Sequence, residues 1–143
     1  MILPDVNLLL YAVDETSPRH AAAREWLERC LSGTETFGLS WSVLTAFVRL
    51  TTRASVFERP LDLPQAFDLV DGWLAQPPVV VVHPTARHHI VLRQLLESLG
   101  TAGNLVPDAH LAALAIEHGA SVASCDRDFG RFAGVSWSDP LAI

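Results

Sequence analysis

Apolar residues recur along this chain in two alternating rhythms, short continuous runs and longer stripes at helical spacing. Met1–Leu3, Thr36–Leu39 and Ser121–Ser124 read as short strands, and Val135–Trp137 as a last edge strand. Val79–Val82 is β-branched and bounded by prolines, which predicts a buried strand. Between these runs the period changes to that of helices. A helical turn or two is predicted from Val6. Thr16-Ser17-Pro18 predicts the next helix start, with a capping residue and a proline at the first helical position. Ala23, Trp26, Leu27 and Cys30 then recur at helical spacing until Gly33.

From Ser40 a helix is predicted with Leu44, Phe47, Val48 and Thr51 on one face and Val43, Ala46 and Leu50 on the other. A helix apolar on two sides is buried on both, inside the domain or against a partner. Arg53–Leu61 reads as a loop, and Leu63–Gln76 as a helix ended by Pro77-Pro78. Thr85 is expected to cap a helix whose stripe is Leu92, Leu95, Leu96 and Leu99, with Gly100 at its end. The helix opened by Asp108 stops at Gly119, and Asp126–Phe132 reads as a turn with a short helix. Alternating strands and helices imply an α/β fold with a mostly parallel central sheet and helices on both faces. In such sheets ligands gather beyond the carboxyl ends of the strands.

The 143 residues suit one domain spanning 1–143, and a hydrophobic share of 50% is enough for a sizeable core. No apolar run is long enough to cross a bilayer, and no basic segment at the N-terminus suggests a secretory signal. Two cysteines, Cys30 and Cys125, make no disulfide framework, so the cytoplasm is the expected location. The formal charge of −6 argues against a whole-surface nucleic-acid binder. It leaves room for a nucleic-acid enzyme, because bound metal would neutralise part of it. Arg49, Arg53 and Arg59 cluster locally, as do Arg87, His88, His89 and Arg93, although ordinary solvated charges are the plainer reading of both groups.

The candidate chemistry lies in four aspartates. Asp5 follows the first strand, Asp108 opens a helix, and Asp126 and Asp128 follow the fourth strand. Carboxylates gathered at one sheet edge repel one another unless a hard cation sits among them, and Mg²⁺ or Mn²⁺ fits that need. Each aspartate also has a plain structural use. Asp5 suits a helix cap, Asp108 suits the positive end of a helix dipole, and Asp126 and Asp128 suit a polar turn. Ser124 offers a hydroxyl to water or phosphate, or merely ends a strand. The histidines, including His110 and His118, form no complete zinc set. Trp26, Trp41, Trp73 and Trp137 read as core or interface residues before base-stacking platforms. A phosphatase using Asp5 as nucleophile would want a second aspartate two residues on, where Asn7 stands.

Three segments, Asp5-Val-Asn-Leu-Leu-Leu-Tyr-Ala, Asn104-Leu-Val-Pro-Asp108-Ala-His-Leu and Ser124-Cys-Asp-Arg-Asp-Phe-Gly-Arg-Phe, together resemble the PIN-domain ribonucleases, in particular the VapC-type toxins. Their order and spacing agree over nearly the whole chain. The resemblance implies a PIN-like three-layer fold and a metal-dependent endoribonuclease acting on tRNA or rRNA. It implies Asp5, Asp108, Asp126 and Asp128 as catalytic residues, with Asp5, Asp108 and Asp126 as ligands of Mg²⁺ or Mn²⁺. It also implies a VapB-type antitoxin as partner, and a homodimer. One departure stands out: the glutamate usual on the helix after the second strand would fall near Ala46, and no acid occurs between Thr36 and Phe57. A PIN-like module that binds antitoxin or RNA without cleaving is therefore the alternative.

Overall fold

The computed structural model describes residues 1–143. Its elements run β1 (Ile2–Pro4), α1 (Val6–Val13), α2 (His20–Ser32), β2 (Phe37–Ser40), α3 (Trp41–Thr51), α4 (Leu63–Leu74), β3 (Val79–Val82), α5 (His88–Leu99), α6 (Val106–His118), β4 (Ser121–Ala123) and β5 (Ser136–Ser138). Single 3-10 turns occupy Gly103–Leu105 and Arg127–Arg131. The five strands form one parallel sheet in the order β3-β2-β1-β4-β5. Connections run outward from β1 through β2 to β3, then cross to β4 and β5 on the other side. The order reverses between β1 and β4, and that crevice is where an open α/β sheet receives its ligand.

Successive residues Phe37, Gly38, Leu39 and Ser40 of β2 are all buried, so this strand is covered on both faces. One cluster of buried side chains joins the sheet (Leu3, Phe37, Leu39, Val122) to the helices through Leu8, Leu9, Leu44, Phe47, Val70 and Leu114. Phe47 and Trp73 meet edge-on at 4.7 Å between ring centroids and lock α3 to α4. Trp26 packs the same way on Phe37, at 5.9 Å. Trp26 and Trp73 are buried, whereas Trp41 is 46% exposed.

The α/β architecture and its parallel sheet are as the sequence predicts, and local chemistry moved three helix starts and ends. α2 begins at His20, two residues after Pro18, because Asp14 first closes a turn onto the backbone and hydroxyl of Thr16. α5 begins at His88, three residues after Thr85 and without a side-chain cap at Arg87; the Thr85 hydroxyl accepts the Arg87 N–H at 3.2 Å while donating to Glu117. α4 ends at Leu74, two residues before the predicted end. A capping box, Asp62 with Gln65, fixes the start of that helix.

Gly38 marks the tightest packing in the sheet. A Cβ there would overlap Leu3 Cδ2 and stand 2.6 Å from Val82 Cγ2, with both neighbours buried. Gly38→Ala should therefore cost about 1–3 kcal/mol through overpacking. The expected result is a lower urea midpoint with an unchanged slope, and an unshifted midpoint would contradict it.

Candidate active site

Asp5 sits where β1 ends and α1 begins, and each of its carboxylate oxygens accepts one hydrogen bond. Oδ1 accepts the Val6 N–H at 2.7 Å, capping α1, and Oδ2 accepts the Ser124 hydroxyl at 2.8 Å. Ser124 follows β4, the neighbour of β1, and is completely buried. Its Oγ also accepts the Asp126 N–H at 3.0 Å, and its carbonyl accepts the Trp137 indole N–H at 2.9 Å. One hydroxyl thus ties the carboxylate at the end of β1 to the backbone of the acid that follows β4. Sequence reasoning left Ser124 open between a ligand-facing role and a strand end. The structure gives it a third role, that of positioning Asp5 and Asp126. Its contact with Asp5 spans nearly the whole chain, so no local signal could have revealed it.

Asp126 caps the 3-10 turn Arg127–Arg131, accepting the Asp128 N–H at 2.9 Å. Asp128 is half exposed and lies 3.7 Å from Arg131. Asp108 stands in the first turn of α6, just after Pro107. Carboxylate oxygens of Asp108, Asp126 and Asp128 all lie within 4.8 Å of one another. The resemblance implied Asp5, Asp108 and Asp126 as the ligand set. The structure groups Asp108 and Asp126 with Asp128, and places Asp5 beside them with one hydrogen bond on each oxygen. Three hard oxygen donors at this separation suit a Mg²⁺- or Mn²⁺-type ion.

The acids disturb one another. Burial, followed by the charges of Asp5, Asp126 and Asp128, raises the Asp108 carboxyl from 3.8 to about 6. Burial also raises Asp5, and Asp126 adds to the rise, while the bonds from Ser124 and Val6 oppose it. Asp108 therefore costs stability when ionised and has a built-in demand for positive charge.

A cleft of about 180 Å³ lies against two of these acids, lined by Asp5 and Asp108 on one side and by Ser42, Val43, Ala46, Arg49 and Leu50 of α3 on the other. The second apolar face of α3 (Val43, Ala46, Leu50) thus borders the acidic site. Its first face, with Leu44 and Phe47, enters the core. Ala46, where the resemblance wants a glutamate, lies in this cleft. Arg49 is a site-lining residue that sequence reasoning grouped only with neighbouring surface charges.

The histidines near the site serve a different end. His88 Nδ1 lies 2.6 Å from Glu117 Oε2, and His88 Nε2 lies 2.9 Å from His110 Nδ1. Glu117 Oε1 accepts the Thr85 N–H and O–H at 2.9 and 2.6 Å. This network clamps α6, which carries Asp108, to α5 and the segment before it. Cys125 is held as a thiol, its pKa pushed up to about 11 by burial and by Asp139.

These shifts fix the pH dependence of the metal-free protein. The folded Asp108 holds its proton to higher pH than the unfolded chain, so its penalty is absent below about pH 4 and complete above about pH 6. Asp5 acts with the same sign. In EDTA, Asp108→Asn should gain melting temperature relative to wild type as pH rises through this window. A difference between the two proteins that stays constant from pH 4 to 7 would contradict the charge clash.

Comparison with known proteins points the same way as the geometry. The PIN domain family model matches residues 2–135. Ribonuclease VapC37 of Mycobacterium tuberculosis is 50% identical over 143 residues, a match covering 100% of this chain and 99% of that protein. Ribonuclease VapC33 of the same species is 43% identical over 141 residues, or 99% of each chain. Among solved structures, VapBC2 from Rickettsia felis bound to a promoter DNA fragment superposes with a TM-score of 0.70 at 20% identity, covering 96% of this chain and 98% of that one. VapC20 of Mycobacterium tuberculosis, described as a sarcin-ricin loop cleaving toxin, gives 0.65 at 19% identity, covering 95% and 99%. At those identities the solved structures speak for the fold, while the curated relatives speak for the family. The chain belongs to the PIN domain family and, within it, to the VapC ribonucleases.

Proposed function

We propose that this protein is a divalent-metal-dependent endoribonuclease, the toxin of a toxin–antitoxin pair, that cuts structured cellular RNA of the tRNA or rRNA class. The observation that carries the reading is the convergence of Asp108, Asp126 and Asp128 beside Asp5 at the reversal of strand order. Full-length likeness to VapC ribonucleases supports it. In this reading Asp108, Asp126 and Asp128 hold Mg²⁺ or Mn²⁺. Asp5 keeps a free lone pair on each oxygen and is able to join them. When bound, such an ion polarises a phosphoryl oxygen and makes hydroxide available near neutral pH. No histidine is needed as general base, and His88 and His110 are committed to the clamp on α6.

The chain's own contribution is to hold the carboxylates in place before the ion arrives. Ser124 fixes Asp5 against the turn that carries Asp126, and the Asp126 cap fixes Asp128. A VapB-type antitoxin is the partner proposed. The homodimer and the cytoplasmic location rest on the resemblance and on sequence alone. No helix is long and apolar enough to cross a membrane.

Purified protein supplied with Mg²⁺ or Mn²⁺ should cut cellular RNA internally, EDTA should stop it, and Asp108→Asn should lower the rate at least a hundredfold. Cleavage that survives EDTA would overturn the metal mechanism. A metal-loaded protein that binds antitoxin or RNA and cuts nothing would favour the non-cleaving module, the reading that Ala46 keeps open.

A further inference from the structure

Ser42, Ala46 and Arg49 are spaced i, i+4, i+7 on α3, which aligns them along one helical face. That face looks across the cleft at Asp5 and Asp108. Arg49 is the one cation lining the cleft, is exposed, and pairs with no carboxylate within 4 Å; the arginines that do pair use acids three or four residues away on their own helix or turn, and Arg49 has none there. The methyl of Ala46, one turn before it, leaves the wall between them free of charge and bulk. A guanidinium facing an acidic site without pairing to it is suited to an anion brought in from outside. Its planar fork matches two oxygens of one phosphodiester.

We propose that Arg49 is the substrate-phosphate clamp of this site, gripping the RNA backbone from α3 while Asp5 and Asp108 face the same stretch of backbone from the opposite wall. The inference rests on the ribonuclease reading above and adds to it the residue that grips the chain being cut. A bidentate contact also orients the phosphodiester, so its loss should slow cleavage as well as weaken binding.

The test uses the full chain in four forms: wild type, Asp108→Asn, Arg49→Ala and Arg49→Lys. Cleavage of total cellular RNA with Mn²⁺ is followed as new ends by sequencing. Binding of a labelled single-stranded RNA is followed by anisotropy across a salt series in EDTA. Arg49→Ala should cut at least tenfold more slowly while melting within a degree or so of wild type. Its log K against log salt plot should flatten by about 0.7, the value for one lost phosphate contact on a single strand. Arg49→Lys should restore the salt slope but not the full rate, because an ammonium keeps the charge and loses the fork. If Arg49→Ala cuts like wild type, or its salt slope is unchanged, the clamp assignment is overturned. If wild type cuts nothing, or Asp108→Asn cuts as well as wild type, the ribonuclease reading fails instead, and the salt slope still decides whether Arg49 holds phosphate.

Discussion

Burial of the Asp5 and Asp108 carboxylates beside those of Asp126 and Asp128 is the constraint around which this molecule is arranged. Asp5 is buried against β1 and β4, and Asp108 is close enough to feel the charge of all three of its neighbours. Left alone, such carboxylates would swing apart or hold protons. They are kept together by hydrogen bonds that belong to the fold: the Val6 N–H and Ser124 hydroxyl on Asp5, and the Asp128 N–H on Asp126. The two backbone bonds serve twice, capping a helix or turn and aiming a carboxylate, and the Ser124 hydroxyl ties Asp5 to β4's end. For Asp5 and Asp126 the capping role that sequence sets against a chemical one is observed, and it leaves both carboxylates facing their acidic neighbours, so the two readings are compatible.

The rest of the architecture holds that arrangement still. The parallel sheet places the ends of β1 and β4 side by side, and its order reverses between them. Glu117, nearly inaccessible with its side chain 1% exposed, gathers Thr85 and His88 and through His88 reaches His110. These contacts hold α6 at His110, two residues after Asp108, and at Glu117 near the far end of the helix. Disturbing the clamp should be felt at the site through the position of α6, with no contact to substrate.

Much of this was legible in the sequence, and what was not has a common cause. Short apolar runs separated by helical stripes disclosed the α/β class, and the aspartates were visible at strand ends because the site of a parallel sheet must form there. Contacts between segments distant along the chain left no local trace. Ser124 bonding Asp5 and Glu117 bonding His88 both depend on topology. The second apolar face of α3 was visible, but periodicity cannot tell a face that meets a partner from one that lines a cleft. Pro18 carried a helix-start signal that lost to the hydrogen bonds from Thr16 to Asp14, and Thr85 serves the segment before α5, accepting the Arg87 N–H while donating to Glu117. The choice of Asp128 over Asp5 within the closest acid group came from the tight turn after β4, which spacing alone does not resolve.

The central claim is that the gathered carboxylates await a cation, and thermal unfolding of wild type and Asp108→Asn at pH 7, with and without Mn²⁺, tests it most directly. Without metal, the variant should melt at or above wild type, since it removes a charge that the fold strains to hold. With free ion at one hundred times its dissociation constant, wild type should gain about 2.7 kcal/mol, and the variant much less. A variant that melts well below metal-free wild type and gains as much from Mn²⁺ would show that Asp108 is a structural residue of α6, and the account of the site would be wrong.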